Sequence, residues 1–464
     1  MNIKRIMTHY LLAPTLLFAG MSTLANANQY YVSNISPIGS DTVCNGTANA
    51  PATSAPNCAF LTITKAANTA KAGDNVSILP GTYTENVNFA NSGTANAPIT
   101  FTGTTSPVIT STVPITSTGV VTPIIAGNVI TTGNYNTIEG LTFSAPAAAG
   151  GGVWYNGSDV YLYGTHNLIN NCEITNYGAL DSDQAVGITF DSGSAYNTFQ
   201  NSSIVNLTGI DAMHVFGHDQ KILHNYVNNI NFKIGGTNHV DFIQTFGWTG
   251  SYAYNILVDS NTVTNGNMQT GNLEIDGSTG VHDWTFSNNV FANVGNSVFS
   301  GVPNTHFYNN LFYQTGTAGA AITLYQGGNY SSEGNILVNN AFINNTAIQG
   351  LYALGWQYAS VPPSVITISN NFYATTTNAA LQLGSSVGTN AINGGNPAFV
   401  NPAALNFNLQ AGSALIGKGL NLSSSFTNDA AGNTRTTIWD IGPYAYNRTS
   451  GSVTILPPSF LTVH

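Results

Sequence analysis

The stretch FSNNVFANVGNSVFSGVPNTHFYNNLF, Phe286 to Phe312, carries one pattern twice. The pattern is an apolar residue, any residue, Asn, any two residues, and a second apolar residue. Its two copies are Phe286-Ser-Asn288-Asn-Val-Phe291 and Phe307-Tyr-Asn309-Asn-Leu-Phe312. Upstream it recurs from Ile169 to Ile174, Phe199 to Ile204, Ile222 to Val227 and Val258 to Val263, with His224 or Ser260 in the third place in two of them. Downstream it recurs from Leu337 to Phe342 and Ile368 to Tyr373. Successive third positions lie 30, 23, 36, 28, 21, 30 and 31 residues apart, so the unit has a fixed core and loops of variable length.

Such a unit holds two or three short strands and tight turns, and it cannot bury its apolar face alone. Stacking units into a parallel solenoid, about 4.8 Å per rung, does bury it. Asn at a repeated turn tolerates left-handed backbone and can hydrogen-bond to the rungs above and below. Helical repeats are excluded by the absence of a 3.6-residue periodicity and by the abundance of Gly and Asn. The expected fold is all-β, a parallel β-helix.

Composition narrows the function. Charged residues make up 6% of the chain and hydrophobic ones 42%, with a net charge of −10. This is neither a disordered chain nor one with a basic patch for nucleic acid. A surface of Asn, Thr, Ser, Gly and Tyr suits neutral, hydroxyl-rich partners. Residues 1–27 read as a secretory signal peptide: Lys4 and Arg5, an apolar run from Leu11 to Leu17, then Ala25-Asn26-Ala27 as cleavage site. That run is too short to span a bilayer, and no later stretch is long and apolar enough. The protein is therefore expected to be secreted, to have no membrane span, and to be a monomer. In an exported protein Cys44 and Cys58 are expected to pair, and Cys172 to be a buried small residue.

Two further segments make a resemblance specific. Ala72-Gly-Asp-Asn-Val-Ser-Ile-Leu-Pro-Gly-Thr-Tyr-Thr-Glu85 is similar to the first rung of secreted bacterial right-handed β-helix proteins of the pectin-lyase-like superfamily. Phe407 to Gly419, then Asp429, Gly432, Arg435 and Trp439 to Gly442, resembles their closing rung. The resemblance implies a single-stranded right-handed parallel β-helix over 72–445, after an N-terminal cap (28–71) whose helix runs from Ile63 to Lys71. A closing segment and a tail (446–464) follow. It implies a polysaccharide partner, while the superfamily also contains esterases, epimerases and non-catalytic surface proteins. The Asn-Thr-Asp, Asp-Asp, Gly-His-Gly and Arg-Ile-Lys motifs of polygalacturonases are absent. So is the Arg and Lys base set of pectate, alginate and chondroitin lyases. The His239-x-Asp241-x-x-Gln244 strand resembles an element of some β-helix enzymes.

Chemistry concentrates between Gly209 and Gly277. DAMHVFG (Asp211 to Gly217), HVDFIQTFG (His239 to Gly247) and NLEIDG (Asn272 to Gly277) each alternate apolar and polar residues and close on Gly. With Met213, Val240 and Leu273 inward, His214, Asp241 and Glu274 point outward, and so do His239 and Asp276. Aligned in this way, Asp241 and Glu274 are first neighbours at about 5 Å, with His214 one rung below Asp241. Two carboxyls at about 5 Å suit a retaining glycosidase, and roughly 6.5–9.5 Å an inverting one. The expected catalytic set is Asp241, Glu274 and Asp276, with His214 and His239 assisting. The same three carboxylates are the expected ligands if the chain binds calcium, which would bridge a uronate. Expected substrate contacts are Gln244, Trp248, Lys221, Tyr325 and Trp284, with Tyr252 and Tyr254 behind them. The competing account is solvated surface: outward acids on a solenoid need no function, and Asp211 is expected only to cap a turn. His218, Asp219, His282 and Asp283 read as loop residues. The functional expectation is a carbohydrate-active enzyme that cleaves a polysaccharide in a groove, as a glycoside hydrolase or a lyase. A non-catalytic adhesion protein and a sugar epimerase are the alternatives.

Overall fold

The structure, a computed structural model, describes residues 27–35, 37–104, 123–144, 158–175, 186–236, 239–248, 250–295, 298–314, 321–327, 330–343, 354–357, 366–374 and 388–448. The signal-peptide reading falls outside these residues except for Ala27, and so does the tail from 449 onward.

The fold is the right-handed parallel β-helix expected from the repeat. Three long sheets run along it, of 13, 12 and 10 strands, here called A, B and C. Their pairings are all parallel; a two-stranded sheet of Phe399–Asn401 and Asn406–Leu409 is antiparallel. One full turn runs from Lys221–Leu223 in A through Tyr226–Asn228 in B and Gln244–Thr245 in C to Ala253–Asp259, again in A.

The repeated Asn-Asn pair explains how the A-to-B corner is made. Its first member takes the left-handed conformation, with φ of 53° at Asn288, 54° at Asn309 and 61° at Asn339. Its second member turns inward and is buried. Asn289, Asn310 and Asn340 each donate Nδ2–H to a backbone oxygen of the rung below, at 2.8–2.9 Å. Each also accepts the backbone N–H of the corresponding Asn in that rung at 2.9–3.0 Å. The left-handed turn thus falls to the first Asn, and the buried pairing with the backbone of the next rung to the second. Behind the corner, apolar positions stack rung on rung. Phe291, Phe312, Phe342 and Tyr373 form a column with ring centroids 5.0, 5.1 and 5.2 Å apart.

At the N-terminal end Gln29–Val32 extends sheet A, and the helix Ile63–Thr69 puts Ile63, Ala66 and Ala67 into the core. The Glu85 carboxylate accepts N–H groups of Ile63 and Thr64, both at 2.9 Å, and so satisfies two donors of the helix's first turn. Cys44 and Cys58 are disulfide-bonded and Cys172 is a buried free thiol. A Cys44→Ser, Cys58→Ser double variant should lose about 2–4 kcal/mol in this N-terminal region, because the bond closes a short loop in the unfolded chain. Urea unfolding followed by limited proteolysis would read that loss. At the other end, residues 396–448 fold back over the outside of sheet B, where Phe399, Phe407, Leu415 and Ile441 cover Val290, Leu311, Ala341 and Phe372. The first Asn of successive corners anchors this segment. Asn309 donates to the backbone of Asp440 and Gly442, and Arg435 donates to Asn288.

Candidate functional site

Sheet C carries the candidate site. Along its strands Met213 and Val215 face the core, and the registered column Thr189, His214, Gln244, Asn272 faces outward. One register further are Phe216, Phe246 and Glu274.

This register corrects the sequence alignment. His214 stands beside Gln244, not below Asp241, and Asp241 bridges Gln269 rather than Glu274. The alternation argument counted from the acids. Residues 242 and 243 bend before the short Gln244–Thr245 strand begins, which breaks strict alternation there. The signal for the right register was in the sequence: aligning Phe216-Gly217 with Phe246-Gly247 puts Asp211 beside Asp241 and His214 beside Gln244.

Asp211 is therefore central rather than a simple turn cap. Its carboxylate is buried, with Oδ1 accepting the Asp241 N–H at 2.6 Å and Oδ2 lying 2.8 Å from His214 Nε2. Asp241 is 0% exposed, and its Oδ2 lies 2.8 Å from His239 Nδ1. Its other oxygen, Oδ1, is buried with no hydrogen-bond partner among the described residues. Two carboxylate–imidazole pairs are thus joined through one backbone N–H. The imidazole of His239 is 43% exposed, so it presents this buried network to solvent.

Burial pushes the Asp241 carboxyl up to about 7, against the lowering effect of His239 and with help from the negative charges of Asp211 and Glu274. Glu274, half-buried, is also raised, first by burial and then by Asp276; hydrogen bonds with Asn272 and Tyr330 and the His239 charge oppose this. Among the described residues, the charges acting on these two carboxyls are those of Asp211, His239 and Glu274 at Asp241, and of Asp276 and His239 at Glu274. The raised Asp241 value fixes the sign of a stability effect. The folded state holds this proton at pH values where the unfolded state has lost it. The stability is therefore fully present below the ordinary Asp value and is lost as pH rises to about 7. Asp241→Asn should accordingly melt higher than the parent at pH 8, with the difference shrinking towards pH 4, in paired thermal scans.

The remaining expected residues fall into two groups. Trp248 is exposed and packs edge-on against Phe216 (5.2 Å), with Phe246 completing an aromatic wall beside His214. Tyr325 packs at a tilt against Tyr330, the partner of Glu274, with ring centroids 5.0 Å apart. Gln244 lies between His214 and Asn272. Asp276 is next to Glu274 at a left-handed position, φ 41°. These gather around the site. Two do not. Trp284 is fully buried in the core and donates Nε1–H to the Ala253 carbonyl at 2.9 Å, because position 284 faces inward with Phe286. Lys221 is an exposed residue of sheet A, paired with Thr198 and Leu257, and is not on the sheet that carries the acids.

For a cation, the donors that converge are not the expected Asp241, Glu274 and Asp276. One ligand atom each from Asp211, His239 and Asp241 lies within 4.8 Å of the others. No helix among the described residues is long and apolar enough to cross a membrane.

No family profile matches the chain, and no curated protein matches it. Among solved structures it is similar to the pectate lyase Pel9A, at 14% identity and a TM-score of 0.47 over 91% of this chain and 98% of that one. It is also similar to XylC in complex with xylose, at 12% identity and a TM-score of 0.46 over 90% and 98% of the two chains. A rhamnogalacturonan lyase aligns at 13% identity and a TM-score of 0.45 over 74% and 87%. These likenesses concern the fold and assign no activity to this chain.

Proposed function

We propose that the protein is an exported enzyme that cleaves a polysaccharide by acid–base chemistry on the outer face of sheet C. The observation that carries this reading is the exposed His239 imidazole backed by the wholly buried Asp241, with Glu274 in electrostatic reach. A flat adhesive surface requires no buried carboxyl with an unpartnered oxygen, whose burial is costly.

In the hydrolytic form, Glu274 in its acid form gives its proton to the glycosidic oxygen as that oxygen's bond to the anomeric carbon breaks. His239 takes a proton from water as the water oxygen bonds to the same carbon. Asp241 is a positioning residue: it fixes the imidazole and stabilises the imidazolium that forms. Hydrolysis is favoured over elimination because a uronate would need its carboxylate neutralised, and the field at the site is negative.

The second reading is a divalent cation held by Asp211, His239 and Asp241, which would supply that neutralisation. It is carried by the 4.8 Å clustering of the three donor atoms. A nitrogen donor beside carboxylates matches a borderline metal such as zinc better than calcium, which takes six to eight oxygens. The three residues have few uncommitted oxygens, Asp241 Oδ1 foremost.

The test is mature protein against neutral and uronate polysaccharides, with and without added zinc or calcium. New reducing ends without ultraviolet-absorbing products, lost in Glu274→Gln, support hydrolysis. Ultraviolet-absorbing products that require a metal support the second reading. Absence of cleavage of every polymer by folded protein would sink both.

A further inference from the structure

Outside the site just described, an ordered ring column runs along the edge where sheet C gives way to sheet A, through the corners and the first residues of the sheet-A strands. Tyr135 stacks on His166 at 4.4 Å and 20°, and His166 on Tyr196 at 4.7 Å and 22°. His218 stacks on Tyr254 at 4.9 Å and 10°, and Tyr254 on His282 at 5.2 Å and 14°. An edge contact at 5.4 Å joins Tyr196 to His218. Tyrosine and imidazole thus alternate over six successive rungs, a span of about 24 Å at the rung spacing of a parallel sheet.

The rings are fixed as well as stacked. His218 Nδ1 and His282 Nδ1 each lie 2.7 Å from the carboxylate of the next residue, Asp219 and Asp283. At the Tyr196–His218 joint the planes are 84° apart; within the stack on either side of it the rings lie face to face along the solenoid, so their outer rims, not their faces, meet solvent. These rims offer alternately a phenol hydroxyl and an imidazole edge.

A second observation falls on the same corners. The exposed large aromatics among the described residues are Tyr163, Tyr196, Trp248 and Tyr252, and all four lie between sheet C and sheet A. A soluble surface rarely gathers its exposed rings on one edge without a partner. The corners contain no lysine or arginine (Lys221 begins the following strand of sheet A), and Asp219 and Asp283 add negative charge. A polyanion would be repelled here. A sugar residue in an extended chain advances by about one rung, presents hydroxyls that both donate and accept, and has C–H faces that pack on exposed aromatic rings.

We propose that this edge is a rail for a linear, uncharged polysaccharide laid parallel to the solenoid axis, with about one sugar per rung. The proposal rests on the reading that the partner of the adjoining site is a polysaccharide, but it does not require that site to cleave.

Native electrophoresis through gels containing hydroxyethylcellulose, xylan or polygalacturonate tests it. Wild type is compared with a Tyr163→Ser, Tyr196→Asn double variant, in which Asn keeps the left-handed backbone of position 196 (φ 58°). The expected result is retardation by a neutral polymer that weakens about tenfold in the double variant, the loss of one or two ring contacts, with the melting temperature unchanged. If the double variant melts lower, Tyr163→Ser with Tyr196→Phe, which keeps the ring stack, replaces it, and weaker retardation is still expected. Equal retardation of wild type and variant, retardation by polygalacturonate alone, or no retardation by any polymer would overturn the rail. Reducing-end release is scored separately. Binding that depends on Tyr163 and Tyr196 without cleavage would leave the rail standing and remove the proposed enzyme, and cleavage without such binding would do the reverse.

Discussion

On the proposed hydrolytic reading, His239→Ala should lower kcat by about 10²–10⁴-fold, the usual worth of a positioned acid or base. The protein should stay folded, because that ring is nearly half exposed and its removal opens no core cavity. Asp241→Asn is the companion variant. It leaves the shape of the buried side chain intact but removes the charge that would stabilise the imidazolium, so kcat should fall while KM changes little. The pH profile separates this from a structural effect. In the parent the basic partner shares its proton with a carboxyl that titrates near 7, so activity should rise through neutral pH. In Asp241→Asn that limb should move to lower pH, since an isolated imidazole has lost the carboxylate that favours its charged form. An unchanged pH profile in Asp241→Asn would remove Asp241 from the mechanism. Combined with the higher melting temperature expected of the same variant at pH 8, lost activity would identify a group kept at a stability cost for function.

The largest effect on stability is expected in the aromatic column. Phe312 is fully buried between Phe291 and Phe342, 5.0 and 5.1 Å from their ring centroids. Phe312→Ala should cost about 3–5 kcal/mol, since the lost burial and the cavity both count and the neighbouring rungs are held in place by the sheet ladders. Phe312→Leu should recover most of this. Equilibrium urea unfolding followed by tryptophan fluorescence is the measurement; a loss under about 1 kcal/mol would mean that the column is loosely packed. The buried asparagines behave differently. Asn310→Ala removes little volume but strands the backbone oxygen of Phe286 and the N–H of Asn289, and its cost is that of unpaired polar groups.

The fold was legible because the physics that builds it is periodic. An apolar pair with Asn, His or Ser at the third place recurs eight times between Ile169 and Tyr373, and a parallel solenoid is what buries such a unit. The site was less legible because it depends on register, and register is fixed by corners of unequal length. Counting from acids placed Asp241 beside Glu274; counting from the Phe-Gly pairs places Asp241 beside Asp211, as hydrogen bonding confirms. Asp211 is hard to single out from sequence because an Asp at a strand start usually caps a turn. The side of Trp284 is equally hidden, because aromatic residues serve both core and surface in this chain, and only the inward direction of its position tells which. Full burial of Asp241 could not be read from alternation, which assigns a side but not a depth.

The strands of each rung pair only with those of its neighbours, although the C-terminal segment braces several rungs from outside sheet B, and the carboxylate–imidazole network lies on middle rungs, with strands of sheet C stacked on either side. Opening of the molecule should therefore begin as fraying at the ends and travel inward, like a zip. Thermal loss of the terminal rungs and loss of activity should be separate events, the first at lower temperature. In hydrogen exchange the amides of Asp211 to Val215 should exchange among the last, as the slow centre of a molecule that unravels from its tips.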